Sequence, residues 1–220
     1  MARGIVPSLG LASMNWSAVQ LAELTRESME KFDPSDLAYL ALTGKIELPV
    51  RDALGAHISR RWPEFTPARE YKRRDLVILK DGTPVLAIEG KMWISFEANF
   101  PVKLHHPNPK EGLVAASLSD IEKMRELVRS YGCMGFTSTV LVGADLGKLD
   151  NRHFPAIKYP HWHRRGPNGE DDLASAHDRG VSNFREAVSK FGEATSAQLF
   201  SGVAFGAPVL GSVVICKVGA

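Results

Sequence analysis

Three charges stand where a buried hairpin should be apolar. In the stretch from Arg74 to Met92, RDLVILKDGTPVLAIEGKM, two β-favouring runs are joined by Lys80-Asp81-Gly82-Thr83, which has the composition of a tight turn. Asp75 opens the first run, and Glu89 and Lys91 close the second. Glu89 and Lys91 are two apart on a strand, so they share a face. Two carboxylates held across from one another on neighbouring strands repel unless a cation sits between them. Their oxygens suit Mg²⁺ or Mn²⁺ better than zinc. A lysine beside them adds positive charge near an incoming phosphate or an attacking water, and the set is a toolkit for phosphoryl transfer.

Whether Asp75 shares the face of Glu89 depends on the turn. A plain two-residue loop at Asp81-Gly82 sets Asp75 opposite Ile88. A three-residue loop closing Lys80 against Pro84, with Gly82 left-handed, sets it opposite Glu89. The second register is expected, because the first buries one carboxylate on each face for no gain.

The elements that position these residues follow from periodicity and punctuation. Trp16 to Phe32 has a helical period with Asn15 as cap, and Asp33-Pro34 ends it and opens a second helix closed by Gly44. A third helix beginning near Pro49 carries Val50, Leu54 and Ile58 on one stripe and stops at Pro63. Thr66 to Tyr71 is a short strand leading into the hairpin. Residues 93 to 116 hold no period and read as a surface excursion. Ser119-Asp120-Ile121-Glu122 reads as a capping box for a helix whose inner face is Ile121, Met124, Leu127, Val128 and Tyr131, closed by Gly132. Phe136 to Val142 is a buried strand. Asn151 to Arg179 is polar and long for a loop, a functional flap or the host of a short helix. A helix on Phe184, Val188 and Phe191 follows, then a strand pair, Gln198 to Phe205 and Val209 to Val218, joined at Gly206-Ala207-Pro208.

This order predicts an α/β fold, a central mixed β-sheet flanked by helices. The expected organisation is an N-terminal helical extension over residues 1–44, packed on a single α/β domain over 45–220. Its core motif spans 47–145, and its C-terminal helix and strand pair span 181–218. The 220 residues are 44% hydrophobic and 24% charged, as in ordinary soluble globular proteins. Lys plus Arg number 27 against 25 Asp plus Glu, and the formal charge of +2 does not by itself point to a polyanion. Cys133 and Cys216 lie in apolar surroundings and read as buried reduced thiols. No stretch reads as a secretory signal or membrane span, so the cytoplasm is the default location. No glycine pattern points to a nucleotide cofactor.

Asp75 followed by Glu89-Gly90-Lys91 at the end of the next strand, with a helix before and a helix and strand after, resembles the PD-(D/E)xK nuclease superfamily, the restriction-endonuclease-like fold. The resemblance covers residues 47–145. It implies that Asp75 and Glu89 hold a catalytic Mg²⁺ or Mn²⁺ and that Lys91 positions or activates the water attacking a DNA phosphodiester. Arg74 stands where the family has proline. Many relatives add an acidic residue on the first core helix, a part for which Glu47 and Asp52 compete, with Glu47 preferred. The resemblance also implies a DNA partner, a role in restriction, phage defence or repair, and the homodimer many such enzymes form. The rival reading is a catalytically silent nucleic-acid-binding or assembly protein that kept the fold.

Arg60, Arg61, Lys72, Arg73 and Arg74 crowd the stretch before Asp75 and suit phosphate contacts, the alternative being a solvated sheet edge. His105, His106, His161, His163 and Arg164 lie in the two irregular stretches, where they could arch over nucleic acid. His161 and His163 lack further partners at zinc-ligand spacing.

Overall fold

The computed structural model describes residues 16–96, 113–158 and 172–219. Its centre is a six-stranded mixed sheet in the order β1-β2-β3-β4-β6-β5, formed by β1 (Phe65–Tyr71), β2 (Arg74–Lys80), β3 (Thr83–Ile94), β4 (Met134–Ala144), β5 (Ala194–Ala204) and β6 (Ala207–Val218). Only β3 and β4 run parallel, and the helix between them is the crossover such a pair requires. The other neighbours are antiparallel.

Three helices cover one face: α1 (Ala18–Met29), α2 (Pro34–Thr43) and α3 (Glu47–Arg61). Ser17, rather than Asn15, caps α1, through a reciprocal box with Gln20. Asn15 lies outside the described residues. Asp33 caps α2 by accepting from the Ser35 amide at 2.7 Å, with Pro34 at the first helical position. Leu54 and Ile58 of α3 pack with Leu21 of α1 onto Leu76, Ile78, Leu86 and Ile88. The first two helices therefore belong to the same apolar layer as α3. On the other face α4 (Leu113–Tyr131) sets Ile121, Met124 and Leu127 on Val77 and Ala87, and α5 (Leu173–Ser189) sets Val181, Phe184 and Val188 on Leu141 and Val214. Cys133 and Cys216 are buried and free, and burial pushes both thiols upward in pKa.

Several boundaries differ from the sequence expectation, each for an identifiable reason. Ser119 does not cap α4, which starts six residues earlier, at Leu113; Asp120 instead sits on its buried stripe. The β5–β6 turn is Phe205-Gly206, both at positive φ, so β6 begins at Ala207. The polar stretch after Asn151 contains a 3₁₀ segment at Asn151–Ala156 and the start of α5, capped by Asp172 through the Ser175 amide. That start was hidden because Ala176, His177 and Gly180, its buried positions, are small or polar. His177 lies between the Ser95 and Ser212 hydroxyls, 2.9 Å from each, and burial lowers its pKa to about 4. Most of the excursion after β3 lies outside the described residues.

Candidate functional site

The β2–β3 turn is the two-residue form: Asp81 and Gly82 both have positive φ, and Lys80 pairs with Thr83. The register nevertheless shifts by one between Leu79↔Pro84 and Ile78↔Leu86, leaving Val85 as the extra residue of a bulge. Proline has no amide hydrogen for the ladder, so a bulge beside Pro84 costs little pairing. Beyond it Val77 pairs with Ala87 and Leu76 with Ile88. One step further along this register, Asp75 comes level with Glu89. The expected three-residue loop is corrected to a tight turn plus a bulge, and the shared face expected for Asp75 and Glu89 is not realised, because the ladder ends before Asp75 and frees its side chain to turn toward α3.

The ladder stops at Leu76↔Ile88. Strict alternation puts Asp75 on the α4 side with Val77, but its carboxylate instead lines a small cleft against α3, with Glu47, Arg51, Ile88, Gly90 and Ser138. Its Oδ2 accepts the Gly90 amide at 2.6 Å, and its Oδ1 is 3.9 Å from Arg51 Nη1. Gly90 is what admits the carboxylate, because a Cβ there meets Oδ2 at 3.3 Å. Glu89 is directed differently: its charged neighbours, besides Asp75, are Asp120, Lys123 and Arg74 on the α4 side. Burial first, then Asp75, then Asp120 push its carboxyl up to about 7.

Glu47 Oε2 and Glu89 Oε2 are buried without a hydrogen-bond partner. Glu47 stands in the first turn of α3, which has no side-chain cap, and lines the Asp75 cleft. Asp52 is engaged by Arg51 at 2.9 Å and Arg69 at 3.0 Å on the outer side of the helix. Of the two helix carboxylates, Glu47 is therefore the one beside Asp75. Lys91 Nζ is 2.6 Å from Asp120 Oδ2, and Lys123 Nζ is 2.9 Å from Asp120 Oδ1.

The sequence reading passed over Asp120, Arg51 and Ser138 as site residues. Asp120 had a signal, a charge on the inward stripe of a helix, but was absorbed into the capping box. Ser138 lies on a strand read as apolar, and only the parallel pairing of Gly90 with Ser138 brings it in.

The basic residues divide. Lys72 and Arg73 form the β1–β2 turn next to Asp75, with Lys72 contacting Tyr131, and Arg74 reaches the Lys123 carbonyl at 3.2 Å. Arg60 and Arg61 lie at the far end of α3, about 20 Å along the helix from Glu47 at its ordinary rise. Arg61 pairs there with Glu27 at 2.9 Å. Of the five, Lys72, Arg73 and Arg74 therefore lie beside Asp75, and Arg60 and Arg61 do not. His105, His106, His161, His163 and Arg164 lie outside the described residues.

Among the described residues, no group of three or more His, Cys, Asp or Glu side chains is placed to hold a metal ion, and no helix is long and apolar enough to cross a membrane. No protein-family model, curated protein or solved structure matches the chain.

Proposed function

We propose that this chain is a metal-dependent endonuclease with a restriction-endonuclease-like core, hydrolysing DNA phosphodiester bonds. The observation that carries the reading is Glu89: a half-buried carboxylate with one buried, unpartnered oxygen, raised to about 7 by burial and by Asp75, on the strand that also carries Lys91. Lys123 and Arg74 offset this only in part, so the group is short of positive charge. The order of elements agrees with the proposed core: a helix, a three-stranded antiparallel meander, a crossover helix and a strand parallel to the third.

The orphaned oxygens, Glu47 Oε2 and Glu89 Oε2, are the hard donors a divalent ion takes, although as they stand they are not gathered into one group. Asp75 and Glu47 would hold it in the cleft against α3, Asp75 being steadied by the Gly90 amide, and Glu89 would join them only by turning its carboxylate from the α4 side. When bound, Mg²⁺ or Mn²⁺ would polarise the phosphate and make a bound water more acidic. Lys91 brings positive charge to the phosphate, and Lys72, Arg73 and Arg74 flank the same end of the sheet, where backbone contacts would position a duplex.

The test is conversion of supercoiled plasmid to nicked and linear forms with Mg²⁺ or Mn²⁺. Wild type cuts, and Asp75→Asn, Glu89→Gln and Lys91→Ala each lose at least ~100-fold in rate. A wild type that cuts neither plasmid nor single-stranded DNA with either ion overturns the reading. The second reading, a silent DNA-binding protein, is favoured by Lys91 already being engaged by Asp120. It predicts that the protein shifts DNA without cutting it.

A further inference from the structure

Asp120 is buried, with 5% of its side chain exposed, on the inward stripe of α4 between Ser117 and Met124, where the pattern of the helix calls for an apolar residue. A buried carboxylate is tolerated when each oxygen meets a cation. Here Oδ2 meets Lys91 and Oδ1 meets Lys123. The two lysines differ in kind. Lys123 is one turn along the same helix and about half exposed. Lys91 comes from β3, two residues beyond Glu89, and its ion pair with Asp120 joins that strand to α4.

A lysine has four rotatable bonds and, left free, samples many positions. The Lys91 ammonium is restricted by an acceptor that is itself immobile, because Ile121, Met124 and Leu127 fix the helix on β2 and β3. Lys123 gives the same carboxylate a second cation, so that Asp120 remains compensated when Lys91 leans toward an anionic substrate.

We propose that Asp120 is a positioning residue: it sets where the Lys91 ammonium stands and acts on the reaction chiefly through that lysine. Its direct charge on Glu89 is the lesser effect, and one that Asp120→Glu retains. The inference rests on the nuclease reading, and the two fail in distinguishable ways. The experiment is a double-mutant cycle on plasmid cleavage with Mg²⁺, using wild type, Asp120→Asn, Lys91→Ala and the double variant, with Asp120→Glu as the charge-conserving control. Asp120→Asn lowers kcat about tenfold or more with KM for DNA within about twofold, since a misplaced group costs the chemical step rather than binding. Asp120→Glu recovers most of that loss, and in the Lys91→Ala background Asp120→Asn has no further effect. Wild-type kcat in Asp120→Asn overturns the proposal, as does an equal loss in both backgrounds, because Asp120 then acts through the fold or through Glu89 rather than through Lys91. If Asp120→Asn does not fold, Asp120→Glu takes its place in the cycle: a loss that disappears in the Lys91→Ala background supports the proposal, and any other result overturns it. A wild type without cleavage sinks the nuclease reading, and this inference falls with it.

Discussion

Asp75 accepts the Gly90 amide at 2.6 Å, a side chain standing where the β2–β3 ladder has run out of backbone partners. The central residue of Glu-Gly-Lys is thereby tied to the aspartate of the preceding strand. A Cβ at position 90 would lie 3.3 Å from Asp75 Oδ2, so any side chain there makes the carboxylate give by a few tenths of an ångström.

Gly90→Ala therefore separates stability from function. Position 90 is not left-handed, so alanine meets no backbone strain, and its lower unfolded-state entropy offsets the crowding. The expected change in unfolding free energy by urea titration is within about 1 kcal/mol. Cleavage falls ~10-fold or more as Asp75 is pushed aside.

Glu89 makes the protein less stable in alkali. Its folded pKa of about 7 lies above the ordinary 4.5, so the folded state holds the proton more tightly than the unfolded chain. The stabilisation is fully present below pH 4.5 and lost as pH rises through 7. Glu89→Gln cannot ionise. Denaturant titration should find it more stable than wild type by about 1–3 kcal/mol at pH 8 and nearly equal at pH 4.5. Saturating Mg²⁺ should stabilise wild type alone.

His177 has the opposite dependence. Buried between Ser95 and Ser212, it has a folded pKa of about 4, below its ordinary 6.5. Its contribution is complete above pH 6.5 and lost as pH falls toward 4. His177→Ala should cost about 2–4 kcal/mol at pH 7, from the cavity and two orphaned hydroxyls. It should also flatten the stability slope between pH 6.5 and pH 4, read by thermal unfolding across that range.

The division of basic residues predicts which of them meet DNA. Replacing Lys72 and Arg73 by alanine should weaken duplex binding and reduce the slope of log affinity against log salt by about 1–2. Replacing Arg60 and Arg61 should leave both within error, because α3 carries them away from the site. Fluorescence anisotropy over a salt series reads the difference.

What the sequence could disclose was local. Glycine, proline and capping residues marked the hairpin, α2 and the end of α4, because backbone conformation there is dictated by the residue itself. The one-residue shift in register was also legible, but not its cause, since a bulge at Val85 and a longer turn produce the same offset, and the face that Asp75 takes was not legible. Hidden from a linear reading were features made by packing between distant elements. Asp120 looked like part of a cap because its partner Lys91 is 29 positions away. The start of α5 looked like loop because Gly180 packs against the Ser95 backbone, leaving no apolar period to detect. The turn of the Asp75 carboxylate toward α3 depends on Gly90, and no alternation rule foretells it.

Isothermal titration of Mn²⁺ into wild type, Asp75→Asn and Glu89→Gln tests most directly whether the orphaned carboxylate marks a cation site. Saturable binding near one ion per chain in wild type, weakened at least tenfold in both variants, is the predicted result. Binding that is absent from wild type, or equally tight in Glu89→Gln, would contradict it.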